Sequence, residues 1–126
     1  MSKQVIFSEN APAAAGPYSH AIVANGMVYT AGQVGIDPAA GQMIAGGIRE
    51  QTEQALKNVL AILEAAGTSL ENVVKTTVFL QDMNDFAEMN SVYGTFFSEN
   101  PPARSTVQVA RLPLGALVEI EVVALR

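Results

Sequence analysis

The residues from Leu117 to Leu125 alternate in a way that leaves few folds open. The even positions, Val118, Ile120, Val122 and Ala124, make an unbroken apolar face, and a strand of that kind is suited to lie under helices. The odd positions differ sharply, mixing Glu119 and Glu121 with Leu117, Val123 and Leu125. Val73 to Leu80 also alternates as a strand, with Val74, Thr76, Val78 and Leu80 on one face and Val73, Lys75, Thr77 and Phe79 on the other. The second face of such a sheet is too apolar to leave wet and too polar for the core of a monomer. Homo-oligomerisation through that face, with polar groups gathered in clefts between subunits, is the physical inference.

The remaining elements fit above and beside that sheet. Lys3 to Phe7 reads as a short first strand, and Ser8 to Pro17, with two prolines, Asn10 and Gly16, as irregular chain. His20 to Ala24 and Met27 to Ala31 flank Asn25-Gly26, the favoured dipeptide of a two-residue type I′ hairpin. Gly32 to Gly47 carries five glycines and Asp37-Pro38 and reads as loop, with a brief strand around Gln42 to Ile44. From Ile48 to Ala66 apolar residues recur at helical spacing, with Glu50 and Glu53 in the first turn and Gly67 past the end. A second helix, capped by Asp82 or Asn84 and reaching about Phe97, shows the stripe Phe86, Met89, Tyr93, Phe96 and Phe97. Two helices on one face of a mixed sheet of five or six strands make a two-layer α+β sandwich, and residues 1–126 form a single domain without repeats or linkers.

Composition narrows the possible chemistry. Charged residues make up 15% of the chain and apolar ones 49%, lean in charge for a small protein and in keeping with apolar surface covered by a partner subunit. The net charge of −5 gives phosphates little to bind, which argues against a nucleic-acid partner. No cysteine is present, so no thiol nucleophile, disulfide framework or thiolate metal site is available. The amino-terminal residues lack an apolar signal core, and no apolar run approaches the roughly 18–20 residues of a membrane span, so the expected location is the cytoplasm.

A few residues stand out. Pro101 and Pro102 hold the chain extended immediately before Arg104, whose guanidinium at the mouth of a strand can grip a carboxylate through two parallel hydrogen bonds. That strand sorts Arg104, Thr106 and Gln108 to one face and Ser105, Val107 and Val109 to the other. Glu119 is the acid expected to oppose Arg104 on the mixed face, where a buried carboxylate needs an arginine or an ordered water. Asn90 falls in the middle of the apolar stripe of the second helix, so its amide must find partners within the core or fasten a loop beside a site. His20 is the only histidine, which excludes a multi-histidine metal centre. Gly46-Gly47 reads as a turn into a helix, since no phosphate-loop spacing accompanies it.

Together the segments NAPAAAGPYSHA (10–21), VYTAGQVGIDPAAGQ (28–42), EQTEQALKNVLAILEAAG (50–67), VVKTTVFLQDMNDFAEMNSVYGTFF (73–97) and PPARSTVQVARLPLGALVEIEVVAL (101–125) closely resemble the reactive-intermediate deaminases, the Rid or YjgF-like family. The resemblance runs the length of the chain, and the PARS segment followed by a V-E-I-E strand is its most specific signature. It implies a chorismate-mutase-like fold assembled as a homotrimer, with a central barrel of strands and active sites in clefts between subunits. It also implies hydrolysis of reactive enamines and imines, such as 2-aminoacrylate, to 2-oxo acids and ammonia without a metal or organic cofactor. Carried over by position, Arg104 matches the arginine that grips the substrate carboxylate, Glu119 the acid that positions the attacking water, Tyr18 a tyrosine lining the pocket and Asn90 an asparagine near it. The chain has Ala31-Gly32-Gln33 where many members have Ser-Gly-Gln, and Arg104-Ser105-Thr106 where many have Arg-Ser-Cys, so substrate preference is expected to shift more than reaction type. A noncatalytic module binding a small carboxylate or a regulatory protein stays open as an alternative. Ribonuclease activity, ascribed to some relatives, fits poorly with the acidic charge.

Overall fold

The computed structural model describes residues 2 to 126. Strands β1 (Gln4–Ile6), β2 (Ala21–Ala24) and β3 (Met27–Thr30) lead through a small ladder, β4 (Ile36–Asp37) with β5 (Gln42–Met43), to helix α1 (Ile48–Ala65). Strand β6 (Val73–Leu80), helix α2 (Phe86–Phe96), β7 (Ala103–Gln108) and β8 (Val118–Leu125) complete the chain. The main sheet has six strands in the order β1-β2-β3-β8-β6-β7. All neighbours are antiparallel except β6 and β7, whose parallel pairing requires the crossover that α2 provides.

Local chemistry accounts for the boundaries. Asn25 and Gly26 both take positive φ, 52° and 73°, as a type I′ turn demands, and they join β2 to β3. The amino end of α1 is closed by Glu50, whose Oε1 accepts from the Gly47 N–H at 2.8 Å; this bond to the Gly47 amide lowers the carboxyl pKa. The carboxyl end is a Schellman closure around Gly67 (φ 83°), with Thr68 N–H donating to the Leu63 carbonyl at 2.9 Å and Gly67 N–H to Glu64 at 3.0 Å. Asp82 does accept a capping bond, from Asn84 N–H at 2.9 Å, but it caps a single 3₁₀ turn, Met83–Asp85, that precedes α2.

The even residues of β8 are sealed under the helices: Val118, Ile120 and Ala124 are 0% exposed and Val122 is 2%. They meet Leu56, Val59, Ile62 and Leu63 of α1 and Met89 of α2 in one core. In β6 the expected inward face fails at one position. A register irregularity between Val73 and Lys75 turns Val73 into the core and leaves Val74 exposed, because an extra residue in one strand inverts the alternation behind it.

Helix α1 also carries buried polar groups that fasten the loops around β8. Asn58, 1% exposed, donates from Nδ2 to the carbonyls of Val34 (3.1 Å) and Ile36 (2.9 Å), and its Oδ1 accepts from Gln54. Buried Gln51 accepts the Leu117 N–H at 2.9 Å. Gly35 lies so close to α1 that a Cβ there would stand 2.8 Å from Gln51 Cα, which is backbone and cannot yield. Replacing Asn58 by Ala strands two carbonyls and should cost about 2–6 kcal/mol, at about 1–3 kcal/mol for each unpaired group. Equilibrium urea unfolding checks this, with a lower midpoint at unchanged slope as the expected result.

Candidate functional site

The sheet register decides where the candidate residues go. Residues paired across neighbouring strands point to the same face, and Arg104 pairs with Thr76 while Thr106 pairs with Val78. Thr76 and Val78 are both 0% exposed beneath the helices, so Arg104 and Thr106 belong to the helix side of the sheet. Glu119 pairs with Phe79, on the opposite side. The expectation that Arg104 and Glu119 oppose each other on the mixed face is therefore corrected: within one chain they serve different faces. Sequence alternation assigned the members of each face of β7 but could not say which face meets the helices.

On the open side, Glu119 lines a cleft of about 220 Å³ whose other walls include Tyr18, Gly32, Val34, Pro113 and Leu114. Ala31 lines an adjoining hollow that shares Tyr18, Gly32, Pro113 and Glu119 with this cleft. Burial pushes the Glu119 carboxyl pKa up, and the neighbouring charge of Glu121 pushes it further. Gly32 is required by this arrangement, since a Cβ there would stand 2.8 Å from the Glu119 carboxyl carbon. Leu114 holds a left-handed backbone (φ 59°) and is 73% exposed at the rim.

Three anchors shape the cleft walls. The irregular segment 8–17 is pinned by His20, which is 2% exposed: Nδ1 accepts from Ser8 N–H at 3.0 Å and Nε2 lies 2.8 Å from the Pro12 carbonyl. A carbonyl only accepts, so Nε2 carries the proton and the ring is a neutral brace for the loop. Tyr18 hydroxyl accepts from Ala15 N–H at 3.2 Å, closing the tip of that loop. Gln33 exchanges two backbone bonds with Ile120, at 2.9 and 3.0 Å, and holds Gly32 beside Glu119.

On the helix side, the Arg104 guanidinium carbon lies 4.7 Å from the centre of the Tyr93 ring and 5.4 Å from that of Phe86. Arg104 is partly buried, and among the described residues no carboxylate is within ion-pair distance of it. Tyr93 hydroxyl is 2.7 Å from Thr76 Oγ1; burial raises its pKa, with Thr76 and Arg104 pulling the other way. Asn90, one turn before Tyr93, keeps its Oδ1 buried and, among the described residues, without a partner, as does the Oγ1 of Thr106. Tyr18, Ala31, Gly32 and Glu119 are thus brought together, while Arg104, Asn90 and Thr106 form a separate group on β7 and α2.

Asn58, Gln51, Tyr93 and Phe86 were not singled out by sequence as site-building residues. A signal existed for the first two, polar residues on the inward stripe of an amphipathic helix, but their loop partners are long-range. Among the described residues no group of three or more acidic or histidine side chains gathers as a metal site would need, and no helix is long and apolar enough to cross a membrane.

Comparison with known proteins places this arrangement. A RutC family protein of Pyrococcus horikoshii is 56% identical over 122 residues, covering 97% of each chain. The mouse protein named 2-iminobutanoate/2-iminopropanoate deaminase is 52% identical over 124 residues, covering 98% of this chain and 92% of its own. The crystal structure of YyfA from Yersinia pestis, described as a conserved Rid family protein of unknown function, superposes with a TM-score of 0.96 at 48% identity, covering 99% of this chain and all of its own. The family profile described as endoribonuclease L-PSP matches residues 8–126. With the six-stranded sheet, the two helices and the PARS and V-E-I-E segments in place, the chain belongs to the endoribonuclease L-PSP family that includes the Rid and YjgF-like proteins.

Proposed function

We propose that the protein is an imine/enamine deaminase that hydrolyses reactive 2-imino acids to 2-oxo acids and ammonia, working as a homotrimer whose sites each draw on two subunits. The observation that carries this reading is Arg104: a partly buried guanidinium, backed by aromatic rings, with no acid among the described residues to neutralise it. Such a group is ready for an external carboxylate. The cleft at Glu119 has the complementary lack, an acid with no cation beside it among the described residues. Because the two groups serve opposite faces of one sheet, a second copy is the simplest way to unite them. The open face also keeps Val5, Tyr29, Val107 and Leu125 between 43% and 49% exposed, apolar surface suited to a subunit contact.

In the proposed reaction Arg104 holds the carboxylate of the protonated imine, and Glu119 of a neighbouring subunit accepts a proton from water as its oxygen bonds to the imine carbon. The resulting carbinolamine takes that proton on nitrogen, the Glu119 carboxylate so regenerated removes the hydroxyl proton, and the carbon–nitrogen bond breaks as the carbonyl forms and ammonia leaves. Water supplies the oxygen, so the balance needs no oxidant or reductant. Fixing water and substrate in line supplies proximity, and proton transfer adds typically about 10²–10⁴-fold. A carboxyl pKa raised by burial suits a group that must both take and return a proton. The acidic chain, with net charge −5, gives an RNA backbone little to grip, so the deaminase reading is preferred to the ribonuclease one.

Arg104→Ala should lower kcat/KM about a hundredfold, the equivalent of roughly 3 kcal/mol of charge-assisted hydrogen bonding. The assay is release of 2-oxo acid from 2-aminoacrylate generated in situ; equal rates with wild type, Arg104→Ala and no protein contradict the proposal. Binding of a 2-oxo acid without any turnover supports a noncatalytic carboxylate binder instead.

Glu119→Gln separates activity from stability. Because folding raises the Glu119 pKa, its contribution to stability is present below the unfolded carboxyl pKa and is lost as pH rises through the folded one. The variant should therefore unfold at higher temperature than wild type at neutral pH, with the gap closing in acid, while losing the rising limb of the pH–rate profile. Gly32→Ala should reproduce the loss of activity with little change in melting temperature, because the added methyl displaces a flexible carboxylate rather than backbone.

A further inference from the structure

An arginine that is to receive a ligand carboxylate must be aimed before the ligand arrives. A protein carboxylate cannot do the aiming, because it would occupy the same N–H edge. An aromatic face can, since the ring attracts the cation across its flat side and leaves the hydrogen-bonding edge unused.

Arg104 is held in this second way. Its guanidinium carbon lies 4.7 Å from the Tyr93 centroid and 5.4 Å from the Phe86 centroid. The two rings are about two turns apart on α2 and so share one side of the helix. Tyr93 is itself immobilised: it is 6% exposed, its ring packs on Phe97 at 4.7 Å, and its hydroxyl is 2.7 Å from Thr76 Oγ1. Thr76 is also the residue paired with Arg104 across β6 and β7. The contacts therefore close on themselves, from the arginine to the ring, from the ring to Thr76, and from Thr76 through the sheet back to the arginine.

We infer that Tyr93 and Phe86 are positioning residues, an aromatic platform that holds the Arg104 guanidinium by its face and leaves its N–H edge for the substrate carboxylate. The inference rests on the reading of Arg104 as the carboxylate grip. The ring of Tyr93 does the holding, while its hydroxyl locks the ring against Thr76 and adds a weaker polar interaction with Arg104. Phe86, 38% exposed and outside the buried core, has little other work to do in the fold.

The test is calorimetric binding of 2-oxobutanoate, together with KM and kcat for the corresponding imine, in wild type, Phe86→Leu, Tyr93→Leu, Tyr93→Phe and Arg104→Ala. Phe86→Leu and Tyr93→Leu should each weaken binding about three- to tenfold and raise KM in parallel with kcat held, the size expected of a cation–π contact. Tyr93→Phe, which keeps the ring, should restore binding to within about twofold of wild type. Phe86→Leu should add nothing further in an Arg104→Ala background. Wild-type binding by Phe86→Leu and Tyr93→Leu, beside a clear loss in Arg104→Ala, overturns the platform; so does an equal effect of Phe86→Leu with and without Arg104. If Tyr93→Leu does not fold, Phe86→Leu decides alone. Wild-type binding by Arg104→Ala overturns the carboxylate grip itself, which keeps the two failures apart.

Discussion

The parallel pairing of β6 with β7 is the constraint on which the site depends. It places Arg104 opposite Thr76 and Thr106 opposite Val78, and so commits the arginine to the helix side of the sheet. The antiparallel pairing of β6 with β8 places Glu119 opposite Phe79 and commits the acid to the other side. A strand residue cannot change faces without a register slip that would expose the whole core face of that strand, so this separation is as firmly held as the core. A charged pair that a small domain might have closed internally is left open on both sides.

Keeping a cation and an acid apart and partly buried has a cost, and the fold offsets it locally. Aromatic rings back the guanidinium in place of a counter-ion. Burial, with the neighbouring charge of Glu121, raises the pKa of the acid. The loops that shape the cleft are held by neutral groups: His20 braces segment 8–17, Asn58 takes the Val34 and Ile36 carbonyls, and Gln51 takes the Leu117 N–H. None of these brings a formal charge near Glu119 that would shift its pKa back down.

What sequence made legible follows the range of the interactions involved. The Asn25-Gly26 turn, the closure of α1 at Gly67 and the inward face of β8 are local patterns, and they stand in the structure with bounds close to those expected. The face of Arg104, the inversion at Val74 and the brief turn before α2 depend on pairing and packing between distant segments, which alternation alone does not encode. The same holds for the candidate site. Tyr18, Ala31, Gly32 and Glu119 line one cleft, but the stacking of Arg104 on Tyr93 and Phe86 had no sequence signal, since those rings read equally well as ordinary core.

The central claim is that Arg104 and Glu119 act together only across a subunit boundary. Mixing the variants Arg104→Ala and Glu119→Gln, unfolding and refolding them together, and assaying deaminase activity tests it most directly. Each variant keeps the residue the other lacks, so random reassembly in equal amounts leaves roughly one shared site in four with both native groups. The account predicts recovery of about a quarter of wild-type activity in the refolded mixture and only the small residual activity of each variant when refolded alone. A refolded mixture no more active than its components, in assemblies shown by mass to contain both variants, would contradict it.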